Sequence, residues 1–361
     1  MGVGARAAIA AASLVLAAAA TAWSAESPPR PTIAADGTTH VPAFDLPPSS
    51  LASPESAAAL RMRGAAPPPK GPPPATIEEV RAAIETRMAP LVAAARTRFP
   101  VDVAQQTLAG VPVRIITPKG RAPVPHRVLI NLHGGAFMMC ANACAFLESA
   151  PIAALGGFTV VTVDYREGPE AVFPAASEDV AAVYKALLKT YKPSQVGIYG
   201  CSAGGILAAQ VAAWLPAHGL PQAGAIGVFG AGARPAILGD SAYISAYTEP
   251  TAPRPAADGA PDQGLKFRSY GEGLDLKNPM AAPGLYPEVM AKFPPTLIIT
   301  ATRAPDLSLA IFTHSQLIKA GVPGDLIVGE GLGHCYINNS DLPEARDADQ
   351  AIADFFRRNL K

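Results

Sequence analysis

A serine stands where a strand-like run meets a helical one, in the segment GIYGCSAGG from 197 to 205. Gly200 and Gly204 flank Ser202 in the spacing Gly-x-Ser-x-Gly. Between a strand and a helix, that spacing predicts a sharp turn that exposes the serine hydroxyl as a nucleophile. An ordinary Gly/Ser-rich turn is the alternative. The strand before it and the helix after it favour the nucleophile.

A glycine run follows an earlier strand-like segment, in NLHGGAFMM from 131 to 139. Backbone N–H groups in such a run can converge on one point, as a developing oxyanion requires. We therefore expect the N–H groups of Gly134, Gly135 and Ala203 to form an oxyanion hole. His133 opens the run, and we expect it to brace the loop through hydrogen bonds.

A histidine follows the last strand-like run, in EGLGHCY from 330 to 336. Of the six histidines, His334 is the one placed at the carboxyl end of a strand after Ser202 in the chain. A serine nucleophile needs an imidazole to take and return its proton. His334 is therefore the predicted base.

The acid of such a triad is harder to assign. Asp306 lies in LIITATRAPDLSLA, from 297 to 310, and two interpretations of it stay open. It is the carboxylate that orients His334, or it is the acid that opens the following helix, because Pro and Asp suit a first helical turn. Asp240 and Glu330 are the alternative carboxylates for this role.

Five blocks of sequence, in this order, carry a resemblance to a known family: HGGAF, VDYREGPEAVFPAA, GCSAGG, PPTLIITATR and LIKAGVPGDLIVGEGLGH. From about Thr76 to Leu360 the chain resembles the hormone-sensitive-lipase-like branch of the α/β-hydrolases. The resemblance implies a cofactor-free carboxylic ester hydrolase with Ser, Asp and His in that chain order. It also implies a small-molecule ester substrate, and a cap built from N-terminal helices and an insertion after the sixth strand.

Two departures from the family pattern bear on function. The third loop glycine is Ala136, and Ala304 stands where the family usually has Asp after Thr-Arg. A shift of two residues along extended chain is about 6.5 Å, so Asp306 replaces the missing acid only if the loop takes another route. The first hypothesis is a carboxylesterase acting on short acyl esters. The second, favoured by Ala304, is a ligand-binding protein that keeps the hydrolase cleft without turnover.

The elements that must position these residues alternate along the chain. Nearly continuous apolar strand-like runs alternate with helical patterns, which predicts an α/β fold with a mostly parallel central sheet flanked by helices. Thr76 and Glu79 have the spacing of a capping box and begin a helix. Residues 76–361 are predicted to form the hydrolase domain. Within them the Pro/Gly-rich segment at about 238–293 departs from the alternation and is expected to be the cap insertion.

Residues before position 76 do not show the strand and helix patterns of the hydrolase domain. Residues 1–24 have an early Arg6 and an apolar run before small residues, as a signal peptide does, although an uncleaved membrane anchor is the alternative. Residues 25–75 are rich in Pro and Ala and are expected to be a disordered tether. The expected location is secreted or periplasmic, with no stable membrane anchor.

Charge and cysteine content add further expectations. Basic and acidic residues balance at 29 each, which argues against nucleic acid as the main partner. The four cysteines follow no metal-ligand spacing, and no metal is expected. Cys201 and Cys335 adjoin Ser202 and His334, so we hypothesise a disulfide between them, with free buried thiols as the alternative. The pairing of Cys140 and Cys144 is left open.

Overall fold

A computed structural model describes residues 30–65, 72–235, 239–248 and 269–361. The predicted signal peptide at 1–24 lies outside these ranges. The chain divides into two compact units, residues 1–47 and residues 48–361. The described part of the first unit contains a short antiparallel hairpin of β1 (Thr32–Ile33) and β2 (Thr39–His40).

The second unit is built on an eight-stranded sheet. Its strands are β3 (Val101–Leu108), β4 (Val111–Pro118), β5 (Val128–Leu132), β6 (Thr159–Val163), β7 (Val196–Cys201), β8 (Ala225–Phe229), β9 (Thr296–Ala301) and β10 (Gly324–Gly329). They are ordered β10-β9-β8-β7-β5-β6-β4-β3. The six strands from β10 to β6 are parallel, and β4 and β3 close one edge antiparallel. The predicted α/β fold with a mostly parallel central sheet is confirmed.

The described helices are α1 (Pro54–Ala65), α2 (Ile77–Arg98), α3 (Ala143–Gly156), α4 (Ala175–Leu187), α5 (Ala203–Ala217), α6 (Asp240–Thr248), α7 (Pro287–Met290), α8 (Leu307–Lys319) and α9 (Pro343–Asn359). Both faces of the sheet are covered. Ile130 and Leu132 of β5 pack into a core with α4 and α5, whereas Leu129 packs into a second core with α3 and α9. That double burial explains the continuous apolar runs of the central strands.

Strand β3 and helix α3 of this unit escaped the sequence patterns. Strand β3 is exposed along most of its length, so it lacks the apolar run that marks the other strands. Helix α3 is buried on nearly every side. Its apolar residues therefore show no helical periodicity, because periodicity arises only when one face meets water. Helix α2 does begin with the predicted capping box at Thr76 and Glu79.

The range 25–75, expected to be a disordered tether, differs from that expectation. Helix α1 lies within it and belongs to the second unit. Ser53 and Ser56 donate their hydroxyls to the Glu344 carboxylate at the start of α9, at 3.0 and 2.8 Å. Ala59 packs against the α9 side of the core. These contacts offset the entropy of ordering the segment, so composition alone misplaced the boundary.

The segment at about 238–293, which we expect to be the cap insertion, follows β8, the sixth strand of the large sheet in chain order. Its described parts are α6, a 3₁₀ turn at Pro283–Leu285 and α7. The returning chain is fixed to the domain by Tyr270, whose hydroxyl accepts the N–H of Ala176 at 2.8 Å. Across the described ranges, we find no helix with the length and apolarity to cross a membrane.

Candidate active site

Ser202 occupies a strained turn between β7 and α5. Its backbone has φ 59° and ψ −120°, and its N–H donates to the carbonyl of Phe229 on the next strand at 2.8 Å. A Cβ at Gly200 or Gly204 would lie 2.1 or 1.7 Å from the carbonyl oxygen of Leu132. Only glycine fits at both positions, which is why the spacing Gly-x-Ser-x-Gly is needed here.

Ser202, His334 and Asp306 meet above the carboxyl edge of the sheet. His334 Nε2 lies 2.9 Å from Ser202 Oγ, and His334 Nδ1 lies 2.6 Å from Asp306 Oδ1. The acid side chain is 4% exposed, whereas the imidazole is 34% exposed. A hydroxyl, an imidazole and a buried carboxylate in this order form a hydrogen-bonded triad, in which the imidazole can take the serine proton and the carboxylate orients the ring.

The structure resolves the two interpretations of Asp306. The residue does stand at the N-terminal boundary of α8, but its side chain makes no capping hydrogen bond there. Its second oxygen, Oδ2, instead accepts the hydroxyl of Thr300 at 2.6 Å. In the described residues neither Asp240 nor Glu330 hydrogen-bonds to His334.

The loop after β9 explains how an acid two positions along reaches the imidazole. The chain turns directly after the strand, because the N–H of Ala304 donates to the carbonyl of Ala301 at 3.1 Å. Arg303 N–H bonds to the carbonyl of Leu332 in the loop that carries His334. Ala304 itself is 1% exposed and packs into the apolar core. A tight turn therefore removes the distance that an extended chain would have added.

The expectation for Gly134 as an oxyanion donor is wrong. Its N–H donates to the carboxylate of Glu148 at 2.9 Å and is not free to meet a substrate. By contrast, the N–H groups of Gly135, Ala136 and Ala203 have no hydrogen-bond partner among the described residues. Ala203 is the first residue of α5, where backbone N–H groups lack an intrahelical acceptor. The glycine run and the first turn of α5 therefore leave three backbone N–H groups free, and Ala136 replaces Gly134 among the candidate oxyanion donors.

The backbone of the glycine run has an unusual conformation, which requires glycine at position 135. Gly135 has φ 122°, and a Cβ there would lie 1.8 Å from the carbonyl oxygen of Met139. Ala136 and Phe137 both have positive φ, at 57° and 55°. The Phe137 ring stacks on Tyr270 of the cap insertion with centroids 4.7 Å apart. The cap insertion and the oxyanion loop are therefore in direct contact.

His133 braces this loop, as expected. Its ring stacks on Tyr165 at 4.5 Å, and Nδ1–H donates to the carbonyl of Gly134 at 2.8 Å. The Tyr165 hydroxyl donates to the carbonyl of His133 itself at 2.6 Å. Complete burial lowers the pKa of His133, so the ring stays neutral and acts as a structural support.

Comparison with known proteins agrees with this geometry. A family model described as the α/β-hydrolase fold matches residues 129–338, which include every member of the site. The chain belongs to the α/β-hydrolase family. A solved esterase of the bacterial hormone-sensitive lipase family is 26% identical, with a TM-score of 0.72, over 86% of this chain and 99% of that one. The resemblance to the hormone-sensitive-lipase-like branch is confirmed.

Curated relatives of this α/β-hydrolase match over different lengths. Esterase LipU of Mycobacterium tuberculosis is 27% identical over 289 residues, which are 73% of this chain and 90% of LipU. Arylacetamide deacetylase of Oryctolagus cuniculus is 37% identical over 123 residues, which are 31% of this chain and 30% of that protein. The chain therefore spans less than two thirds of the length of some relatives, and nearly all of others.

Sequence reasoning did not identify Glu148, although this residue contacts two parts of the candidate active site. It lies on α3 and is 4% exposed. Its carboxylate accepts hydrogen bonds from Gly134 N–H, from the Asn131 amide and from Cys201 N–H, at 2.9, 3.0 and 3.3 Å. Burial raises the pKa of Glu148 to about 8 despite these three donors. The available signal was a single acid in an otherwise apolar helix.

All four cysteines of the chain are in disulfides. Cys201 pairs with Cys335, with Cα atoms 6.3 Å apart, and Cys140 pairs with Cys144 at 5.3 Å. The first bridge is the one hypothesised from the sequence. It joins the residue before the nucleophile to the residue after the imidazole. In the described part of the chain, no group of three or more His, Cys, Asp or Glu residues is placed to hold a metal.

Proposed function

We propose that this α/β-hydrolase is a carboxylesterase that hydrolyses small-molecule esters with a short acyl group. The observation that carries the proposal is the hydrogen-bonded series Ser202–His334–Asp306, in which the acid is buried and the imidazole faces the cleft. The names of the relatives, an esterase and a deacetylase, support ester hydrolysis.

Acylation begins with the serine. As Ser202 Oγ attacks the ester carbonyl carbon, its proton passes to His334 Nε2 across 2.9 Å. Asp306 accepts the Nδ1–H of the same ring and stabilises the imidazolium that forms. Thr300 holds the other oxygen of Asp306, so the carboxylate keeps the orientation that this role requires.

The tetrahedral intermediate carries a negative oxygen. It lies beside the free N–H groups of Gly135, Ala136 and Ala203, which stabilise it more strongly than the neutral carbonyl. His334 then returns the proton to the alcohol oxygen, and the C–O bond breaks. Water attacks the acyl-enzyme by the same proton path, which releases the carboxylic acid and restores the Ser202 hydroxyl.

The alternative of a ligand-binding protein without turnover rested on Ala304. Because Asp306 occupies the position of the acid in space, Ala304 no longer indicates a broken triad. No contact in the described residues favours that alternative over hydrolysis.

The assignment is tested with p-nitrophenyl butyrate and a serine-directed phosphonate. The wild-type protein should hydrolyse the ester with a burst of p-nitrophenol if deacylation is slower, and it should be labelled at Ser202. Ser202→Ala should lose labelling and about 10⁶-fold in kcat, as loss of a triad serine does.

A matched control is Ser315→Ala. This hydroxyl lies on α8 and donates only to the carbonyl of Ile311. The control should retain both labelling and turnover. A phosphonate that still labels Ser202→Ala, or a wild-type protein inert towards activated esters of every chain length, would contradict the proposed function.

A further inference from the structure

Glu148 is a buried acid that the proposed reaction does not use. It sits on α3, whose other inward residues are mainly apolar. A buried carboxylate costs free energy unless donors surround it, and an apolar residue here would leave buried backbone N–H groups without acceptors. Its function therefore depends on which N–H groups donate to it.

The two backbone donors belong to the two loops that stabilise the reaction. Gly134 N–H, on the oxyanion loop after β5, donates to Oε1. Cys201 N–H, directly before the nucleophile at the end of β7, donates to Oε2. One carboxylate therefore bridges the oxyanion loop and the nucleophile turn, with one oxygen for each.

The surrounding contacts leave little freedom to this bridge. The hydroxyl of Tyr199 donates to the backbone carbonyl of Glu148 at 3.0 Å, and the Asn131 amide donates to Oε2. A Cβ at Gly134 would lie 3.0 Å from the carbonyl oxygen of Cys201 and 3.4 Å from the Cβ of Ser202. The two loops are thus packed directly against each other where Glu148 holds them.

We infer that Glu148 is a positioning residue, whose carboxylate sets the distance between the oxyanion donors and the Ser202 hydroxyl. The inference rests on the proposed function. The peptide N–H groups of Gly135 and Ala136 follow Gly134 directly, so a rotation at Gly134 moves both donors. A displacement of about 1 Å in such a site costs about 10²-fold in rate.

The test is Glu148→Gln, which keeps the size of the side chain but presents one oxygen and one NH₂. The NH₂ then faces Gly134 N–H, or else Cys201 N–H and the Asn131 amide, so one loop loses its acceptor. We expect kcat for p-nitrophenyl butyrate to fall about 10- to 100-fold with KM within about threefold, because the lost alignment affects the transition state more than ester binding. Phosphonate labelling of Ser202 should slow by a similar factor.

Asp349→Asn is the matched control. Asp349 on α9 is also a buried carboxyl, 3% exposed, but among the described residues no hydrogen bond joins it to either loop. It should leave kcat within about twofold even if it changes thermal stability. A kcat of Glu148→Gln within twofold of the wild type, or an equal loss in Asp349→Asn, would overturn the inference.

Two further measurements keep the inference testable. If Glu148→Gln does not fold, Glu148→Asp retains the carboxyl group but is one methylene too short to reach both loops, and it should show the same selective loss of kcat. Amide hydrogen exchange at Gly134 and Cys201 should be at least tenfold faster in the variant. That readout is independent of turnover, so protected amides would refute the bridge even if the esterase proposal failed.

Discussion

At the scale of single residues, the role of an acid is decided by what its carboxylate touches, not by its place in the chain. Asp306 lies at the boundary of a helix and still directs both oxygens away from it, to His334 and Thr300. Ala304, at the position where the family usually has the acid, is enclosed in an apolar core. Asp306 therefore supplies the carboxylate in place of position 304, because the loop turns between the two positions.

Asp306→Asn should lower kcat by about 10⁴-fold, as replacement of the orienting carboxylate does in known triads. The amide oxygen can accept the imidazole Nδ1–H, but it carries no negative charge to stabilise the imidazolium, and an amide NH₂ facing Nδ1 would hold the ring in the wrong tautomer. Turnover of p-nitrophenyl butyrate at saturating ester gives the answer. Asp240→Asn, at the start of α6, removes another acid that opens a helix and should leave kcat unchanged.

Ala304→Asp should not raise the rate, because Asp306 already holds the imidazole. The new carboxylate would be buried beside apolar side chains, and the free energy of unfolding should fall by about 2–4 kcal/mol. Urea denaturation and turnover together measure both effects. If Asp306→Asn were nearly harmless and Ala304→Asp raised kcat by orders of magnitude, Asp306 would only open its helix.

At the scale of elements, a disulfide holds the catalytic loops together across the sheet. Cys201 ends β7 and Cys335 follows β10, and β8 and β9 lie between these strands. Gly230, which follows β8, lies directly against this disulfide. A larger residue would clash with it, because a Cβ at position 230 would be 2.8 Å from Cys335 Sγ. The bridge thus fixes the loop of His334 relative to the turn of Ser202.

Replacing Cys201 and Cys335 together with alanine should lower the free energy of unfolding by about 3–5 kcal/mol, because the bridge closes a loop of 134 residues. The double variant of Cys140 and Cys144, which lie four residues apart, is the matched comparison and should lose only about 2 kcal/mol. Denaturant unfolding without reductant measures both. Equal losses, or four free thiols in the native wild type, would contradict this prediction.

At the scale of the whole molecule, the two disulfides bear on where the protein works. Disulfides persist in oxidising compartments, and the four cysteines of the sequence are all paired. This supports the proposal that the protein is exported, which the pattern of residues 1–24 first suggested. The esterase site would then meet ester substrates outside the cytoplasm.

Export predicts that the mature protein begins near Trp23 or Ala25, after a small-residue cleavage site. Expression of the full chain in a secreting host, followed by N-terminal sequencing of the exported protein, measures this. A chain in which Arg6 and the apolar run are replaced by a polar segment is the control and should stay inside the cell. Recovery of an exported protein that still begins with Met1 would contradict the prediction.

The sequence by itself determined the fold class, most strands, and the identity of Ser202 and His334 as candidates. Those assignments depend on local patterns. The glycines on either side of Ser202 indicate a tight turn, and the continuous apolar runs indicate strands that are covered by helices on both faces of the sheet. Such patterns did not predict helix α1, because contacts with residues distant in sequence stabilise it. They did not predict strand β3 either, because its exposed residues do not form an apolar run.

Only the tertiary structure decided the acid, the oxyanion donors and Glu148. Each depends on how two groups that are far apart in the chain are oriented towards each other. The hydrogen-bonded pair Asp306 and His334 is 28 residues apart, and the pair Glu148 and Cys201 is 53 residues apart. A residue pattern reports which groups are present and how a local segment folds. Whether an N–H such as that of Gly134 faces a substrate or a buried carboxylate is set by packing, because hydrogen bonds form only over short, directed distances.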